Sequence, residues 1–113
     1  MVHAGQIVLF RFPQTDLSPG KLRPALIIGR LPGSFEDWLI CMISSQIHQY
    51  IPEFDEIIAW DDPDYPKSGL KNDSLIRVGR LAVVDASVLL GAIGEVDSIR
   101  LDRVKANLAA WLS

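Results

Sequence analysis

Hydrophobic positions along the chain fall into short runs separated by turn-forming residues. Residues 5–12 (GQIVLFRF) are rich in β-formers, with Val8, Phe10 and Phe12 on one side of an alternation, which predicts a strand. Pro13 ends it, and Ser18-Pro19-Gly20-Lys21 suits a type II turn, because proline fixes φ at the second position and glycine accepts positive φ at the third. A second strand is predicted over residues 23–30 (RPALIIGR). Pro24 has no N–H to donate, which puts it at a strand start or an edge, and it holds Arg23 extended. After the turn signal Leu31-Pro32-Gly33-Ser34, residues 38–47 (WLICMISSQI) form a run apolar enough for a central strand, closed by Ser44-Ser45-Gln46. A fourth strand is predicted over residues 54–60 and a fifth over 74–84, bent at Gly79. Residues 61–72 (DDPDYPKSGLKN), with two prolines, a glycine and many charges, read as a loop.

The periodicity then changes. Asp85 suits the N-cap of a short helical turn reaching residue 90, and residues 91–96 suit a last short strand. Asp97 or Ser98 caps a C-terminal helix in which Leu101, Val104, Leu108, Trp111 and Leu112 recur at three- and four-residue steps, with Arg103 and Lys105 off that stripe. Five or six short strands with one packed helix predict a mainly β (α+β) fold, a small, strongly bent sheet or barrel. At 113 residues the chain is expected to be a single domain, residues 1–113, able to hold a core without disulfides or a structural metal. The lone Cys41 has no internal partner and sits among apolar residues, so it reads as core. No Cys/His cluster has zinc-ligand spacing, and no segment has the form of a signal peptide or membrane span, so a cytoplasmic protein is expected.

Net charge, at −3, argues at first against a nucleic-acid partner. The distribution alters that picture. Between residues 11 and 30, Arg11, Lys21, Arg23 and Arg30 are offset only by Asp16; residues 31–66 hold eight acids and no Lys or Arg; then Lys67, Lys71, Arg77 and Arg80 are offset only by Asp73. Two basic blocks around an acidic one can fold into a positive and a negative face, or can simply be solvated loop charges.

Taken together, GQIVLFRFPQTDLSPGKLRPALII, CMISSQI and GLKNDSLIRVGRLAVVD resemble the MazF/PemK family of toxins from bacterial toxin–antitoxin pairs. The resemblance runs from Gly5 into the C-terminal helix. Arg-Pro opening the second strand and the hydroxyl-bearing end of the third are its most specific parts. It implies an SH3-like barrel of five to six bent antiparallel strands with a C-terminal helix, forming a homodimer. It also implies a metal-independent endoribonuclease, without cofactor, that cleaves single-stranded mRNA and is silenced by a cognate antitoxin. The family's catalytic Arg falls on Arg23 and its Thr on Ser44, where the hydroxyl is kept. A later family Arg falls on Arg77, while Gly79 stands where some members carry Asp.

Metal-free RNA cleavage needs a base for the 2′-OH, an acid for the leaving oxygen and positive donors for the pentacoordinate phosphate. Arginine suits the last role because its planar fork binds phosphate bidentately. The expected catalytic set is Arg23, Ser44 and Arg77, with Lys21, Ser45, Gln46, His48 and Lys71 contacting RNA. Imidazole exchanges protons near neutrality, so His48, four residues past Ser44, is also a candidate base, better placed than His3. Each has a plainer reading. Arg23 can pair with Asp16, Ser44 and Ser45 can end a strand through local backbone bonds, and Arg77 can be a solvated sheet-face charge. Trp60 and Tyr65 can stack bases or merely pack. Two other functions compete: a non-catalytic barrel serving as a binding module, which Gly79 favours, and a serine hydrolase built on Ser44 or Ser45 with His48 and Asp55, which lacks nucleophile-elbow glycines.

Overall fold

The computed structural model describes residues 2–11 and 20–113. Phe12, Asp16 and the first two residues of the turn expected at 18–21 lie outside the described residues. Six strands form one antiparallel sheet: β1 (Gln6–Arg11), β2 (Leu22–Arg30), β3 (Asp37–Ser44), β4 (Glu56–Ile58), β5 (Ser74–Asp85) and β6 (Ala92–Glu95). Their spatial order is β4-β5-β3-β2-β1-β6, so the apolar β3 is internal, as its composition predicts. The mainly β expectation stands, with bounds shifted by a few residues.

The sheet curls, and buried residues collect on both of its faces. Ile7, Leu26, Ile28, Cys41, Ile43, Ile76 and Val78 pack on one face with Val104 and Leu108 of helix α2 (Ser98–Leu112). Val8, Ala25, Ile27, Trp38 and Ile40 form a smaller cluster on the other. Asp97 caps α2 by accepting the Arg100 N–H at 2.8 Å, and Asp85 caps a short 3-10 turn over Ala86–Val88 by accepting from the Ser87 N–H at 2.8 Å. The expected helix stripe is only partly core. Val104 and Leu108 are buried, whereas Trp111 and Leu112 run past the sheet and are about two-thirds exposed, at 65% and 67%.

Two local features were not expected, and the bend expected at Gly79 takes the form of a bulge. Residues 61–72 hold a one-turn helix, α1 (Tyr65–Ser68), with Pro66 in its first turn and Gly69 left-handed at its end (φ 74°). Gly94 of β6 lies so close to the backbone of Lys67 and Ser68 that any Cβ would collide with it. In β5, Arg77 pairs with Met42 but Leu81 pairs with Cys41, so Val78, Gly79 and Arg80 bulge out without partners on β3. The buried Asp55 carboxylate closes that bulge, accepting from the Val78 N–H and from the Ile51 N–H, each at 3.1 Å.

The acidic block is not simply a solvated face. Arg100, absent from the sequence-based candidates, is buried and makes five hydrogen bonds: Nε and an Nη fork Asp64 at 2.8 and 3.2 Å, and the others reach Asp62, Glu56 and the Ile57 carbonyl. Five donors find five acceptors. Burial pushes the Asp64 carboxyl up, but the Arg100 hydrogen bond, the Asp97 amide and the Arg100 charge together leave it below its ordinary value.

Candidate functional site

β2 and β3 run antiparallel with Ala25 opposite Met42. Continuing that register two residues brings Arg23, at the start of β2, opposite Ser44, at the end of β3, and partners in register share a sheet face. Pro24 sets the local geometry by holding Arg23 extended. The loop from α1 into β5 supplies the third wall. The result is a cleft of about 190 Å³ lined by Arg23, Ser44, Ser45, Lys71, Asn72 and Ser74 over the apolar Leu22, Ile43 and Leu70. Its lining carries two cations and no acid.

Ser44 lies at the floor, 5% exposed, and its Oγ accepts the Gln46 N–H at 3.0 Å. That bond turns the chain out of β3, so the plain reading of Ser44 as a strand terminator holds, and β3 ends there rather than at Ile47. Because the backbone bond uses an Oγ lone pair, the hydroxyl proton remains free to be donated. Arg23 is half-buried, and its guanidinium makes no hydrogen bond or ion pair to any described residue. A guanidinium and a hydroxyl donor facing one small polar cleft can hold the oxygens of a phosphate between them.

The remaining expected residues are placed differently. Lys21 is exposed just before β2, and Gln46 is exposed beside the cleft. His48 is exposed on a 3-10 turn (Ile47–Gln49) and lines no described cleft. Arg77, opposite Met42, shares the sheet face of Ser44 but lies outside the cleft, donating to Gln49 Oε1 at 2.9 Å beside Arg80 and Gly79. His3 lies on a separate depression with Lys67 and Glu95. Trp60 is 72% exposed and takes no part in the core. The sequence reading did not single out Asn72 and Ser74 as lining residues; the only signal for them is their position inside the GLKNDSLIRV segment.

Among the described residues no helix is long and apolar enough to cross a membrane. A comparison with curated protein sequences returned no match. Among solved structures, an endoribonuclease in complex with its cognate antitoxin, from a mycobacterial species, superposes with a TM-score of 0.65. The alignment covers 99% of this chain and 95% of that one at 15% identity, which establishes a shared fold. The model of the PemK-like, MazF-like toxins of type II toxin–antitoxin systems matches residues 3–112. A chain that matches this model over almost its whole length, with the Arg-Pro and hydroxyl positions meeting in one cleft, belongs to that toxin family.

Proposed function

We propose that the protein is a metal-independent endoribonuclease acting on single-stranded mRNA in the cytoplasm, and that a cognate antitoxin segment silences it by covering the same cationic cleft. The observation that carries this reading is the meeting of Arg23, Ser44 and Lys71 around one small polar hollow. Arg23 grips the non-bridging oxygens of the scissile phosphate and Ser44 donates its hydroxyl proton to one of them, while Lys71 adds long-range attraction. As the 2′-oxygen loses its proton and bonds to phosphorus, negative charge grows on those oxygens, and donors fixed beforehand stabilise it. The P–O5′ bond then breaks, and the 5′-oxygen takes up a proton. The products are a 2′,3′-cyclic phosphate and a 5′-hydroxyl. In this reading Ser45, in the cleft lining, contacts RNA together with the exposed Lys21, Gln46 and His48, and Arg77 acts from the neighbouring strand.

A second copy of the chain supports this arrangement. Leu22, Leu81, Val83, Val88 and Leu90 leave apolar side chains between 37% and 54% exposed, which a homodimer contact can cover.

The test is incubation of a long single-stranded RNA with the protein in EDTA. Cleavage to cyclic-phosphate ends is expected, reduced a hundredfold or more (~10²) by Arg23→Ala and substantially by Ser44→Ala. Intact RNA at protein excess would favour the non-catalytic barrel, the reading to which Gly79 lends weight.

A further inference from the structure

A second concavity, of about 540 Å³, opens between the C-terminal end of α2 and the loop before β4. Phe54 and Trp111 form its apolar wall, ring centroids 5.9 Å apart and tilted by 56°. Ile51 continues that wall, and Glu53 and Asn107 supply polar atoms. Gly79 lines the groove close against Phe54, and a Cβ there would sit 3.1 Å from the Phe54 ring. The bulge that carries Gly79 also places Arg77 and Arg80 on an adjoining depression that shares Ile51, Phe54 and Gly79 with the groove. Arg80 makes no hydrogen bond or ion pair to any described residue.

We propose that this groove receives one unpaired base of the RNA strand, stacked on Trp111 and Phe54, while Arg77 and Arg80 hold the adjoining phosphates; this rests on the ribonuclease reading above. Single-stranded RNA is bound where an exposed aromatic platform lies beside cations that follow its backbone, and both are present here. The volume falls within the range of about 300–1,000 Å³ typical of small-ligand sites. Asn107 donates its amide N–H to the Phe54 carbonyl at 2.9 Å, which leaves its Oδ1 free, and Glu53 offers a carboxylate. Both acceptors suit the N–H edge of a base. Glu53 holds a left-handed backbone (φ 63°), a conformation uncommon outside glycine. The chain from Ser44 through the 3-10 turn to Phe54 links the phosphate cleft to the groove, and Arg77 is tied to that segment through Gln49. In this proposal the strand follows that segment from the cleft, and the groove takes a nucleotide to one side of the cut.

The experiment is a titration of fluorescein-tagged, uncleavable 2′-O-methyl RNA of mixed sequence into a Trp60→Phe background, where Trp111 is the exposed indole that remains. RNA is expected to quench that indole. Trp111→Ala should weaken binding about tenfold with an unchanged salt slope, and Trp111→Phe should restore most of it. Arg80→Ala should reduce the salt slope by about one phosphate contact. Gly79→Asp, which fills the groove with a carboxylate, should weaken binding as well. Unchanged affinity in Trp111→Ala, while the protein still cleaves RNA and Arg23→Ala abolishes cleavage, overturns the base site and leaves the ribonuclease reading standing. Loss of binding to an acidic peptide, with RNA affinity intact, overturns it in favour of a protein partner. Absence of both cleavage and RNA binding in the unmutated protein removes the ribonuclease reading itself.

Discussion

Replacing Arg100 with methionine removes a guanidinium that five acceptors surround and leaves the carboxylates of Asp64, Asp62 and Glu56 facing one another at the edge of the core. Asp64 is 1% exposed, so water cannot replace the lost donors. Breaking a buried ion pair by deleting one partner costs about 3–5 kcal/mol. A chain of 113 residues has a total stability of roughly 6–17 kcal/mol at ordinary values per residue, so this one change takes away a large part of it. The melting temperature should fall by about 12–20 °C. The pH dependence gives a sharper signature. In the parent protein Asp64 titrates below its ordinary 3.8, so its contribution is present above that value and is lost as pH falls through the lower folded value. In Arg100→Met burial dominates and raises the folded value. Stability is then highest in acid and declines as pH rises from the unfolded value through the folded one. The gap between the two proteins should therefore be widest near neutrality and narrow below about pH 4. Urea denaturation of both proteins from pH 3 to 8 measures it. A variant as stable as its parent at pH 7, or a gap independent of pH, would refute the reasoning.

Other expectations are simpler. Burial pushes the Cys41 thiol up to about 12, so a thiol reagent should label the folded protein only at its unfolding rate and the denatured chain at once. Gly94→Ala drives a methyl into the Lys67–Ser68 backbone and should lower stability more than an ordinary surface substitution, by several kcal/mol (~3 or more), read in the same denaturation assay. Asp97→Ala removes the α2 cap and should cost about 1 kcal/mol, with Asp97→Asn recovering most of it.

Much of this fold is legible in the sequence because its signals are local. Alternation marks β1, aliphatic runs between turn signals mark β2 and β3, and the 3.6-residue recurrence after Asp97 marks α2. The Arg23–Ser44 cleft was reached through a resemblance, and the register of two neighbouring strands accounts for it. What local pattern could not reveal depends on contacts far apart in the chain. Arg100 meets Asp64 and Glu56 across 36 and 44 residues, so nothing in the spacing of the acidic block pointed to an internal partner. The α1 turn was hidden by its four-residue length and by Pro63 and Pro66, which read as loop residues. Trp111 fits the helical stripe but is 65% exposed, lining an open groove with Phe54 and Gly79 rather than the closed core. The excess residues Val78–Arg80 show only as a glycine within a strand.

The pairing of β1 with β6 has a consequence for synthesis. Gln6 lies opposite Glu95, and the Val96 N–H donates to the Gly5 carbonyl, so one of the first-made strands waits for one of the last before the sheet can complete its order. Contacts of such long separation form late and slowly. A ribosome that releases its product before residue 92 yields a peptide whose first strand has one flank bare. For a protein harmful to its own cell, this ties completion of the sheet to translation past residue 96.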